Sequence, residues 1–220
     1  MSKLERRSPR GLRAALAAHC EALAGCRACS HGPHVLPIVS RAASPRVMLV
    51  GQAPGATESA GGKPFAGRAG KTLFRWLERA GVDEETARRE VYIAAVTRCY
   101  PGPSPSGRGD RVPSPVEQEA CARWLDAELA IIRPVLIIPV GRLAITRFLP
   151  SRPLDELIGR GHDVDVGERS TLVVPLPHPS GASSWIHQDG HQRLVDRALD
   201  LIGRELAALG IGRAGGRSVA

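Results

Sequence analysis

Four short apolar runs punctuate the chain: Arg46 to Val50, which ends in Gly51, then Val91 to Val96, Val135 to Val140 and Thr171 to Val174. Runs of this length, rich in β-branched residues and bounded by Gly or Pro, read as strands buried on both faces. The stretches between them have helical periodicity. Gly11 to Gly25 sets Leu12, Leu16 and Leu23 among alanines, a helix from Lys71 to Ala80 follows a glycine-rich loop, and Ser114 with Glu117 forms a capping pattern for a helix through Ile132. Gly141 to Leu149 reads as helical, and Gln188 to Leu209 carries apolar positions 194, 195, 198, 199, 201 and 202 at helical spacing. Alternating strands and helices predict an α/β fold, a single domain over residues 11–209 with three αβα layers around a central four-stranded, mostly parallel sheet. Such sheets meet ligands at the carboxyl ends of their strands, so the loops after the first, second and fourth strands are where chemistry is expected. Residues 1–10 and 212–220 are polar, glycine-rich or basic and are expected to be disordered tails.

Size and charge narrow the partners. A chain of 220 residues, 43% of them hydrophobic, suits one well-buried domain. Its net charge of +8 comes from 27 arginines and only three lysines, Lys3, Lys63 and Lys71. The planar guanidinium fork matches phosphate, which favours an acidic partner, although a genome-wide arginine bias gives the same composition. No run approaches the roughly 20 apolar residues of a membrane span, and the first residues lack the apolar segment of a secretion signal. A cytoplasmic protein without membrane contact is expected.

Five cysteines in a reducing compartment point to metal or catalysis more than to a disulfide framework. Cys26 and Cys29 form a Cys-x-x-Cys pair, Cys99 ends the second strand and Cys121 lies within the following helix. Four thiolates suit a [4Fe–4S] cluster or a structural zinc, and spacing does not choose between them. A rival local zinc site would use Cys26, Cys29, His31 and His34, with its ligand pairs crowded together. Cys20, alone on an apolar helix face, reads as an idle thiol. His187 and His191, four apart, read as a metal pair or a solvated helix face.

The loop from Gly51 to Gly70, GQAPGATESAGGKPFAGRAG, resembles the first motif of the iron–sulfur uracil-DNA glycosylases, families four and five, in which a strand ends in Gly-x-Ala-Pro-Gly and Pro-Phe-x-Gly follows. The strand ending in Cys99, the Pro-Ser-Pro turn and the helix segment Cys121-Ala-Arg-Trp resemble the same family's middle segment. Val173-Val-Pro-Leu-Pro-His178-Pro-Ser180 resembles its second catalytic motif. The likeness runs from about Cys26 to His191 in matching order. It implies a structural [4Fe–4S] cluster on Cys26, Cys29, Cys99 and Cys121, bracing a DNA-facing segment, with zinc the less favoured occupant. It also implies a monomer acting on DNA that contains uracil or another deaminated base.

The implied reaction is hydrolysis of the N-glycosidic bond, leaving an abasic site. Breaking that bond builds positive charge on the sugar and negative charge on the departing base, which sets two electrostatic tasks. By the motif match, His178 faces the base O2 and stabilises the leaving anion. Glu58 places charge or an activated water near C1′, or Gln52 positions that water, because Ala53 stands where the best-known uracil glycosylases carry Asp. Phe65 stacks on the flipped base, backbone amides at Gly51, Gln52 and Ala53 hold its oxygens, and Ala95 faces its edge. Lys63, Arg68, Ser180, Gly181, Ala182 and Ser183 face DNA, with Trp185 placed to fill the vacated stack or simply to pack. The plain alternatives are a loop histidine satisfied by backbone, a solvated loop glutamate and a core phenylalanine.

Two departures from the family stand out. Family four reads the uracil edge with an asparagine where this chain has Ala95, and family five draws one from the proline-rich loop, yet Tyr100 to Pro115 holds none and the chain has no asparagine at all. Arg68 replaces family five's acidic residue. The chain fits neither branch fully, and either backbone and Gln52 read the base or selectivity is relaxed. A Schiff-base lyase would need an amine, and Lys63 reads instead as a phosphate contact. The rival functions are a DNA- or damage-binding protein of the same fold without turnover and an electron carrier built around the cluster.

Overall fold

The computed structural model describes residues 8–29, 35–42, 45–106, 109–180 and 184–212. Helix α1 (Pro9–Ala24) opens at Ser8, whose hydroxyl accepts the Gly11 amide at 3.2 Å, with proline in the first turn where its missing N–H costs nothing. Residues 8–10 are therefore cap and first turn, a correction to the expected tail. Residues 1–7 and 213–220, the remainder of the two expected tails apart from Gly212, lie outside the described residues.

Strand β1 (Val47–Gly51) is followed by α2 (Ala56–Gly61), α3 (Arg68–Arg79) and α4 (Glu84–Glu90), then by β2 (Val91–Ala95). Next come α5 (Pro115–Ile132), β3 (Leu136–Pro139), α6 (Arg142–Thr146), α7 (Leu154–Leu157), β4 (His162–Val166) and β5 (Arg169–Val173). A 3-10 turn (Ser184–His187) leads into α8 (His191–Ala208). The capping box at α5 is as expected: Ser114 and Glu117 each accept the other's amide.

The sheet has five strands in the order β2-β1-β3-β5-β4. The four expected strands, β1, β2, β3 and β5, pair in parallel, and the additional β4 runs antiparallel to β5 at the edge. β1 and β3 are buried along their whole length, as a sheet covered on both faces requires. The helices pack in two groups, α1 with α5, and α3 with α4 and α8. The open side of β2 is covered by residues 35–42: Ile93 donates its amide to Ser40 Oγ at 3.0 Å and Ile38 donates to the Arg98 carbonyl at 2.8 Å. Among the described residues no helix is long and apolar enough to cross a membrane.

Because four strands run in parallel, their carboxyl ends lie at one edge of the sheet. The chain leaves β1 toward β2 on one side and later returns to β3 on the other, so the strand order reverses beside β1. Crevices that bind ligands form at such a reversal. Gly51 with its loop, Gly141 after β3 and the Val174–Ser180 segment after β5 all emerge there.

Candidate active site and cysteine pocket

Phe65 is held by an unusual backbone. Its φ of 51° lies in the left-handed region, which a bulky side chain occupies only when its surroundings impose it. Arg88 does so from α4, donating Nη1 to the Pro64 carbonyl at 2.8 Å and Nη2 to the Phe65 carbonyl at 3.3 Å. Gly70 makes room, since a Cβ there would sit 1.9 Å from the Phe65 carbonyl oxygen. Gly51 does the same beneath the ring, where a Cβ would meet Phe65 Cζ at 2.8 Å. The ring is thus fixed over the end of β1, half buried and not part of the core proper. Gly70→Ala should improve α3 by helix propensity, by roughly 1 kcal/mol, but the backbone oxygen cannot yield. We expect the strain to outweigh that gain, measured as a lower Tm in thermal unfolding.

Glu58 is not a solvated loop glutamate. It is 9% exposed, and its two carboxylate oxygens accept the amides of Gly55 at 3.1 Å and Gly67 at 2.9 Å, closing the loop from β1 to α3. Asp110, from the proline-rich loop, approaches the same point: a Cβ on Gly55 would lie 2.7 Å from Asp110 Oδ2 and 2.8 Å from Glu58 Oε2. Sequence reasoning passed over Asp110, whose signal was an acidic residue in the loop from which family five takes its asparagine. Glu58→Gln turns one acceptor into a donor facing a backbone N–H, a loss of about 1–3 kcal/mol. A drop in Tm of several degrees is expected, whereas a solvated glutamate would leave Tm unchanged.

His178 stands at the end of the β5 segment, half buried, with its ring on Gly141, where a Cβ would lie 3.1 Å from Cδ2. The Ser180 amide donates to Nδ1 at 3.3 Å, and Ser180 Oγ is 2.8 Å from the same nitrogen. A backbone N–H can only donate, so Nδ1 is the acceptor and Nε2 carries the proton. Burial holds the imidazole below its ordinary pKa, which keeps it neutral.

The remaining site residues divide. Gln52 and Ala53 are half buried in the loop after β1, and the Gln52 carbonyl accepts the Thr97 amide at 3.2 Å. Ala95, half buried, ends β2 opposite Gly51. Arg68 is exposed at the start of α3, and Lys63 is exposed in a loose pair with Glu84 at 3.8 Å. Gly181, Ala182 and Ser183 lie outside the described residues. Trp185 stacks on His191 with ring centroids 4.1 Å apart, and His191 Nδ1 lies 2.8 Å from the Trp185 carbonyl oxygen. His187 belongs to the 3-10 turn and His191 to α8, so the two do not share one helix.

Cys26, Cys29, Cys99 and Cys121 line one pocket, whose wall is completed by Leu23, Val35, Pro37 and other residues without a carboxylate or imidazole among them. Burial pushes the Cys29, Cys99 and Cys121 thiols up, Cys99 to about 12, and the neighbouring cysteines add to the rise. Burial also raises Cys26, but the Ala28 amide, Trp124 and Arg123 outweigh it. Arg123 donates Nη2 to Cys26 Sγ at 3.9 Å. Thiols that oppose each other's ionisation suit a cationic occupant, and an all-sulfur donor set fits an iron–sulfur cluster. Among the described residues no three His, Cys, Asp or Glu side chains close on a single metal-ion position. His31 and His34 of the rival zinc set lie outside the described residues. Cys20 faces Tyr92 Oη at 3.6 Å, outside the pocket lining.

A buried network that the sequence did not announce ties together α1, β2 and α5, beside these cysteines. Glu128 of α5 is fully buried and pairs with Arg98, which is 2% exposed. Tyr92 of β2 donates its hydroxyl to Glu128 Oε1 at 2.8 Å, and His19 Nε2 of α1 lies 3.2 Å from the same oxygen. Burial raises the Glu128 pKa, but Arg98, His19 and Tyr92 bring it below the ordinary carboxylate value.

Comparison with known proteins adds a family to this geometry. The family model of the uracil DNA glycosylase superfamily matches residues 39–201. A type-4 uracil-DNA glycosylase of Thermotoga maritima is 35% identical over 136 residues, 61% of this chain and 65% of that protein. One of Pyrobaculum aerophilum is 38% identical over 114 residues, 52% of this chain and 50% of that protein. A type-5 uracil-DNA glycosylase of Thermus thermophilus is 35% identical over 115 residues, 47% and 49% of the respective chains. The chain thus spans less than two thirds of the length of these curated relatives.

Proposed function

Since this chain belongs to the uracil DNA glycosylase superfamily, we propose that it hydrolyses the N-glycosidic bond of uracil in DNA, as a monomer and without lyase activity, leaving an abasic site. The observation that carries this reading is the pair of Ser180 contacts on His178 Nδ1, which assign the proton to Nε2. With Nδ1 engaged by the Ser180 amide and hydroxyl, Nε2–H is the donor that a departing uracil O2 anion needs. A neutral donor fixed in advance loses nothing to reorganisation as charge develops.

Excision requires the base to be flipped from the stack, at a cost of a few kcal/mol. Phe65, fixed by Arg88 and Gly70, offers the ring against which the extruded base packs, and the amides of the loop after β1 meet its oxygens. Glu58 serves the reaction by holding that loop, so the water that attacks C1′ is positioned by Gln52 and backbone. Lys63, Arg68 and the Ser180–Ser183 segment contact the phosphates on either side. With no asparagine to read the base edge, selectivity falls to backbone and pocket shape, which admits other deaminated bases.

Cys26, Cys29, Cys99 and Cys121 would hold a [4Fe–4S] cluster, with zinc the less favoured occupant. When bound, the group supplies a brace between α1, β2 and α5 and takes no part in breaking the glycosidic bond. The test of base range is excision of uracil, hypoxanthine, xanthine and mismatched thymine in single and double strands. Release of uracil with at least one other deaminated base is expected. Binding to all four with release of none would support the non-catalytic reading motivated by the missing asparagine.

A further inference from the structure

Four buried side-chain polar atoms among the described residues lack a hydrogen-bond partner: Thr97 Oγ1, Arg98 Nε, Arg98 Nη1 and Trp124 Nε1. All four belong to residues lining the cysteine pocket. An unpaired buried polar group is destabilising, and folded proteins leave few of them. Finding them around one pocket and nowhere else among the described residues marks the place of an absent acceptor.

The chemistry of that acceptor follows from the donors. Arg98 engages Glu128 through Nη2, leaving Nε and Nη1 of a permanently charged fork unpaired in a residue that lines the pocket. Trp124 Nε1 can only donate, and its indole already favours the Cys26 thiolate, one of the sulfurs of the pocket itself. Its ring is fixed on both sides, edge-on to His19 at 5.5 Å and beneath Arg123 at 4.8 Å. Three unpaired N–H nitrogens, two of them on one guanidinium, and one hydroxyl thus belong to residues that line the pocket of the four thiols. Inorganic sulfide and thiolate sulfur, on a cluster that is net anionic with four thiolate ligands, are the acceptors that match.

We propose that Arg98, Trp124 and Thr97 form a second ring of donors to the sulfurs of the [4Fe–4S] cluster, retaining it in the pocket and raising its reduction potential. This rests on the cluster reading above. Hydrogen bonds and positive charge both favour the more negative, reduced cluster, so their removal lowers the potential. Loss of such outer partners weakens metal sites about 10–100-fold.

The test uses the full chain purified without oxygen, with iron and acid-labile sulfide content, midpoint potential and rate of iron release to a ferrous chelator as readouts. Trp124→Phe removes the N–H and keeps the ring contacts, Thr97→Val removes the hydroxyl at constant shape, and Arg98→Lys keeps a cation for Glu128 while removing the fork. Trp124→Phe and Arg98→Lys should each bind a cluster with a more negative midpoint and release iron about tenfold faster, with Thr97→Val smaller in the same direction. A cluster with wild-type midpoint and release rate in Trp124→Phe would overturn the proposal, even where Arg98→Lys fails to fold. Wild-type protein free of iron and sulfide would instead remove the cluster reading, and the proposal with it.

Discussion

Replacing His178 by alanine is expected to lower uracil excision by about 10²–10³-fold, roughly 2.7–4 kcal/mol of transition-state stabilisation, as for loss of one preorganised oxyanion donor. Affinity for uracil-containing DNA should change little, because the donor acts on charge that appears only as the bond breaks. The loss should therefore fall on kcat in single-turnover assays. The pH profile gives an independent check. Burial depresses the folded-state pKa below the ordinary 6.5, so the imidazole stays neutral as pH falls through 6.5 and protonates only below it. Protonation would set an Nδ1–H against the Ser180 amide and end the arrangement. The acid limb of kcat is expected below pH 6.5, and a limb at or above that value that disappears in His178→Ala would contradict the assigned tautomer.

Glu128→Ala should have the largest effect on stability. It removes the carboxylate that pairs Arg98 and accepts from Tyr92, leaving a guanidinium 2% exposed without its counter-charge. Breaking a buried pair from one side costs about 3–5 kcal/mol, against a total of about 5–15 kcal/mol for a typical domain. Denaturant unfolding of metal-free protein measures it without contribution from a bound group. Because the network joins α1, β2 and α5, the same variant should also hold less iron. A change under 1 kcal/mol would mean that these elements are held together by apolar packing alone.

The parts of this molecule that follow local rules were legible in the sequence. β1, β2, β3 and β5 are short apolar runs, and α5 announces itself by Ser114 and Glu117; each lies within a residue or two of its expected place. β4 escaped notice because His-Asp-Val-Asp-Val is half polar: it is an edge strand whose outer side chains are exposed, held by its ladder with β5 across the Gly167 turn. α2 was hidden in a glycine-rich loop and α4 among charged residues, although Asp83 caps α4 through the Thr86 amide. At the site, motif order pointed to His178, Phe65 and the four cysteines. It could not reveal that Glu58 is engaged by two backbone amides, that Gly70 and Arg88 shape the Phe65 turn, or that Arg98 and Glu128 pair 30 residues apart. Those are contacts between distant segments, and no local pattern encodes them.

Cleavage of a glycosidic bond in DNA by this chain can be read directly from its products. The most direct measurement is incubation of enzyme in molar excess with an end-labelled duplex bearing one uracil, followed by hot alkali and by mass analysis of released base. Free uracil and alkali-dependent cleavage at the uracil position are expected, both reduced about 10²–10³-fold in His178→Ala. Uracil-containing DNA that is bound in a gel shift yet recovered intact, with no free base, would contradict that activity.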